Sequence, residues 1–133
     1  MIGKKKIVAR FKKYALLNML STDLVFKAKV VYLIRSKDTK EALELLSSYY
    51  GVEEPKLKVG MPKRYSKNPA CYVAKKRTIH VSCREILWNP YIILHEFFHH
   101  LRRVTEAEAG IEKYANNFAK NYVEAYRKTT NEK

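Results

Sequence analysis

The sequence predicts an α+β domain in which helices surround a small antiparallel sheet. Three observations carry this. Apolar residues recur at helical spacing before residue 51, alternate at period two between residues 70 and 83, and return to helical spacing after residue 89.

Over residues 5–21, Ile7, Phe11, Tyr14, Leu17 and Leu20 form one apolar stripe among basic residues, the pattern of an amphipathic helix. Ser21-Thr22-Asp23 can stop that helix and cap a second one through about Ile34. A third helix is expected over Asp38–Tyr50, with Ala42, Leu45, Leu46 and Tyr49 on its buried side and Gly51 as its stop. A short strand, Lys56–Val59, comes next, followed by a loop rich in Pro, Gly and Lys.

The stretch ACYVAKKRTIHVSC reads as a β-hairpin. Alternation would set Cys71, Val73, Ile79, Val81 and Cys83 on one face, and Tyr72, Ala74, Thr78 and His80 on the other. Both cysteines would then share a face, and a bridge between them is conceivable, with the register left open. Asn89-Pro90 is a helix start, with Asn as N-cap and Pro in the first turn. That helix should run to about Arg102. Thr105-Glu106-Ala107-Glu108 forms a capping box for a last helix ending near Lys128.

At 133 residues the chain has the size of one domain. We divide it into a basic N-terminal helical segment, 1–36, and a core, 37–128. The longest apolar run, Val30–Ile34, is far too short to span a bilayer, so no membrane span is expected. The opening residues lack the pattern of an export leader, and a cytoplasmic protein is expected.

The net charge of +14 is unevenly spread. Residues 1–40 carry eleven Lys/Arg against Asp23 and Asp38, and residues 56–77 carry eight with no acid. Residues 78–133 are nearly balanced, eight basic against seven acidic. Two basic stretches, 4–40 and 56–77, are therefore candidate contacts for nucleic acid.

The chemistry concentrates in WNPYIILHEFFHHL, which holds three of the four histidines. His95, Glu96 and His99 fit H-E-x-x-H. Two histidines four apart on a helix lie one turn apart on the same face, so both imidazoles can reach one ion. Zinc suits imidazole nitrogen, and a catalytic zinc keeps one position for water, which Glu96 could approach without ligating the metal. His100 points away from the His95/His99 face and reads as a surface or supporting residue.

Two histidines need a third ligand. The final helix offers Glu106, Glu108 and Glu112. Glu106 sits in the first turn, where an acid favours the helix dipole regardless of metal, and Glu108 already serves the capping box. Glu112 is a turn further in, beside Ala115, Asn116 and Ala119, which would let the helix approach closely. Glu112 is the favoured ligand and Glu108 the runner-up. Asn116 could hydrogen-bond a ligand from behind.

The order of hairpin, H-E-x-x-H helix and glutamate helix resembles the zincin metallopeptidases of the gluzincin kind. The segment Glu112 to Ala119 is similar to the E-x-x-A-[ND]-x-F-A stretch of ImmA/IrrE-like peptidases. Cys71 to His99 resembles the hairpin-plus-helix run of those peptidases and of minigluzincins. The resemblance covers roughly residues 38–126. It implies a zincin-like fold and a zinc metalloendopeptidase acting on peptide or protein, with Glu96 as general base and Glu112 as metal ligand. This chain departs from the pattern in two places. Only twelve residues separate His99 from Glu112, and Phe97 and Phe98 fill the middle of the motif, which would narrow the cleft.

Peptide hydrolysis also needs a donor to the developing oxyanion. Tyr114, His80 and His100 are the candidates. The strand Thr78–Ser82 could add an extended substrate as another strand. Two other functions fit the same residues. One is a nucleic-acid-associated protease of the SprT-like kind, acting on DNA-bound proteins; the other is a non-catalytic zincin-like binding domain.

Overall fold

In the computed structural model, residues 23–103 and 110–130 are described. The expected helix over 5–21, the capping box at Thr105 and the runner-up ligand Glu108 lie outside them.

Helix α1 is described over 23–35. Val30, Val31, Leu33 and Ile34 are all buried, so its C-terminal end is sunk into the core. Helix α2, Thr39–Tyr50, buries Thr39, Ala42, Leu43, Leu46 and Ser47. This differs from the expected face. Leu45 is only half-buried, and Tyr49, 55% exposed, lies against the ring of Phe26 at 4.2 Å. Tyr49 satisfies its apolar ring by stacking at the surface, which leaves the core to Leu43. Gly51 ends the helix in the left-handed region (φ +69°), its N–H returning to the last carbonyls.

Three strands follow: β1 (Lys56–Val59), β2 (Ala70–Val73) and β3 (Thr78–Val81), in spatial order β1-β3-β2. β2 and β3 form the expected antiparallel hairpin, but β1 pairs parallel to β3. The sheet is therefore mixed, and the expectation of a purely antiparallel one is corrected. The parallel ladder is closed at both ends, by Lys56 N–H to the Arg77 carbonyl (2.8 Å) and Gly60 N–H to the Val81 carbonyl (2.7 Å). Gly60 turns the chain at φ +123°, a conformation that a side chain would strain.

The hairpin register also shifts the expected faces by one residue on β2. Ala70 and Tyr72 lie opposite Val81 and Ile79, and these four join the core. Cys71 lies opposite His80 and Val73 opposite Thr78, on the other face. Cys71 is buried, Cys83 is exposed beyond the end of β3, and no disulfide links them. Because β3 is flanked on both sides, its backbone is already used. Thr78–Ser82 therefore cannot take a further strand, and the expected addition of a substrate there is corrected. Among the described residues, β1 and β2 form the sheet edges.

A 3₁₀ turn at Arg84–Trp88 leads into helix α3, Pro90–Arg102. The Asn89 side chain accepts the Ile92 N–H at 3.1 Å, the N-cap that the Asn-Pro pair predicted. The Thr39 hydroxyl donates to the Leu87 carbonyl, tying α2 to the approach to α3. Helix α4, Ile111–Thr130, turns Ala115, Ala119, Tyr122 and Ala125 inward. Alanines at this spacing let α4 pack closely on α3. One hydrophobic cluster joins the four helices and the sheet. No helix of the described residues is long and apolar enough to cross a membrane.

Candidate metal centre

The later turns of α3 and the first turn of α4 meet at the site. His95 and His99, one turn apart on α3, bring their rings to 5.1 Å between centroids. Both aim Nε2 at one carboxylate: His95 reaches Glu112 Oε2 at 2.9 Å, and His99 reaches Glu112 Oε1 at 2.8 Å. Ligand atoms of the three residues all lie within 4.8 Å of one another. Burial grades across the site, with side-chain exposure of 0% at His99, 12% at His95 and 48% at Glu112.

These donors fit a small divalent ion. A tetrahedral zinc with ligands at about 2.0–2.2 Å needs donor atoms roughly 3.4 Å apart, so small side-chain adjustments would suffice. A metal ion bound here would take the lone pair of each Nε2, which requires those nitrogens to be free of a proton.

Glu96, only 4% exposed, borders a cleft of about 230 Å³. One wall comes from Tyr91, Ile92, His95 and Glu96 on α3, and the other from Asn68, Pro69, Ala70 and Asn116. The cleft therefore runs past the start of edge strand β2. Asn116, one turn after Glu112, accepts the Tyr91 hydroxyl at 2.9 Å, tying the two helices beside the histidines.

Of the residues singled out from sequence, His95, Glu96, His99, Glu112 and Asn116 come together here. The three candidate oxyanion donors do not. His80 lies on the sheet face opposite the helix-packed one and donates its Nδ1 proton to the Gly60 carbonyl at 2.9 Å. Tyr114, 61% exposed, opens onto a separate pocket beside Phe98 and Phe118. His100 is buried behind the motif, so it is no surface residue.

The fixed partners of His100 settle its tautomer. Its Nε2 donates to the Glu53 carbonyl at 2.6 Å, so Nδ1 accepts the Tyr72 hydroxyl at 2.8 Å. Burial, aided by the Arg103 and Arg77 charges, lowers its pKa to about 4. At neutral pH it is an uncharged clasp between α3 and the sheet.

The two phenylalanines of the motif do not narrow the cleft. Phe97 is fully buried in the core, and Phe98 packs on Phe118 at 5.4 Å. Tyr91 is the site residue that the sequence reading passed over. It sits four residues before His95, hence on the same helix face, and that spacing could have found it. No family model, no curated protein and no solved structure matched this chain in comparison.

Proposed function

We propose that this chain is a zinc-dependent metallopeptidase in which His95, His99 and Glu112 hold the ion and Glu96 moves the proton. One observation carries the proposal: two imidazole Nε2 atoms converge on one carboxylate beside a buried glutamate at a cleft. Zinc, when bound, supplies the Lewis acidity that polarises a carbonyl and acidifies water.

The chain's own residues account for the remaining work. The Glu96 carboxylate takes a proton from the attacking water and returns it to the leaving amine. The Asn116 side-chain N–H group, whose Oδ1 already accepts the Tyr91 hydroxyl, is the donor positioned at the cleft to hydrogen-bond a substrate carbonyl, replacing Tyr114, His80 and His100 in that role. Among the described residues β2 is an edge strand, and starting at the cleft wall it offers its outer backbone to an extended peptide. Ala70, Ile92 and Pro69 give the cleft an apolar lining that suits a small or medium apolar side chain.

The test is cleavage of an internally quenched peptide library. Chelation should abolish cleavage, and stoichiometric zinc should restore it. Cleavage that ignores the chelator, or its absence from zinc-loaded protein, would end the proposal.

A further inference from the structure

We infer that the groove between β1 and the β2–β3 turn docks the phosphate backbone of a nucleic acid. This surface is separate from the metal centre and does not depend on it. The groove, about 740 Å³, is lined by Lys56, Lys58, Lys75, Lys76 and Arg77 against Glu53 and Glu54. That leaves a net +3, five cations less two carboxylates. Arg77 pairs with Glu53, so four lysines face the single carboxylate of Glu54.

The fold assembles this charge from two stretches of chain. Lys56 and Lys58 share one face of β1, about 6.6 Å apart at the usual rise of a strand. The parallel register places them beside Thr78 and His80 on the face turned away from α3. The Lys56 N–H bond to the Arg77 carbonyl fixes the turn, and with it Lys75 and Lys76, against the start of β1. All eight Lys/Arg of residues 56–77 are exposed, and that stretch contains no acid.

Two simpler accounts cover less. Lysines on an edge strand discourage pairing with other chains. That explains Lys56 and Lys58 but not Lys75 and Lys76, which lie in a turn. A single phosphate would be gripped by cations converging on a point, whereas these are strung along a strand and a turn. Such a row suits a chain of phosphates. Among the described residues no aromatic ring lines the groove, so the contact is with backbone rather than with stacked bases, and is sequence-independent. An anionic membrane is the less suitable partner, because among the described residues Leu57 alone offers the groove an apolar anchor.

The experiment is fluorescence anisotropy of the full chain with a labelled 20-base-pair DNA duplex, titrated from 50 to 200 mM salt. Replacing Lys56, Lys58, Lys75 and Lys76 with Ser should weaken binding at least tenfold and flatten the salt slope by about 3–4. Replacing four exposed basic residues elsewhere, Arg84, Lys113, Lys120 and Lys128, should change affinity less than threefold. Circular dichroism confirms that both variants are folded. Equal losses in the two variants, or no duplex binding by wild type at 50 mM salt, would overturn the inference. So would groove-dependent binding to phosphatidylserine vesicles without binding to DNA.

Discussion

Glu96→Gln is expected to lower kcat/KM for peptide cleavage by on the order of 10³-fold, about 4 kcal/mol of transition-state stabilisation, while zinc content stays unchanged. Glutamine matches glutamate in size and keeps one carbonyl oxygen, so the buried site at 4% exposure should tolerate it. It cannot accept the proton that the reaction must move. Glu96 is absent from the group of ligand atoms within 4.8 Å of one another, so metal affinity should not follow activity. Parallel loss of zinc and activity would make Glu96 a ligand. Unchanged activity would remove it from the chemistry.

Phe97→Ala is expected to destabilise the fold by about 3–5 kcal/mol, the range for deleting a fully buried aromatic ring. Phe97 has no exposed surface and packs against the rings of Tyr50, His100 and Phe118 at 6.1, 5.7 and 6.5 Å between centroids. Its loss opens a cavity in the core, on the side of α3 opposite His95 and His99. The neighbouring Phe98 is only partly buried, so Phe98→Ala should cost less than half as much. Urea denaturation of the two variants measures the difference. Equal costs would mean that the core is organised differently around the motif.

The residues that gather at the candidate site were easier to read in the chain than its sheet. His95, Glu96 and His99 were legible because helical spacing alone places two side chains on one face. Asn89-Pro90 fixed where that helix begins. Glu112 was reachable through the small residues of α4, which permit close packing. The face of β2 was not legible, because Ala70, Cys71, Tyr72 and Val73 are all apolar and nearly all buried, so alternation carries no phase.

The parallel pairing of β1 was hidden for another reason: residues 60–77 separate it from β3, and nothing local encodes so distant a partner. His80, His100 and Tyr114 were candidates by residue type, which marks chemical capacity and not direction, and all three lie away from the cleft. Each spends or points its polar group elsewhere: His80 on the Gly60 carbonyl, His100 on Glu53 and Tyr72, and Tyr114 away from the cleft.

The central claim is that two imidazoles and the Glu112 carboxylate grip one ion, and zinc titration of chelator-stripped protein tests it most directly. Wild type should bind one zinc per chain. Glu112→Ala and His99→Ala should each weaken binding by on the order of 10²–10³, one ligand's share of a typical protein zinc affinity. Glu108→Ala should bind as wild type does. Absence of stoichiometric zinc binding, or wild-type affinity in Glu112→Ala, would contradict the account.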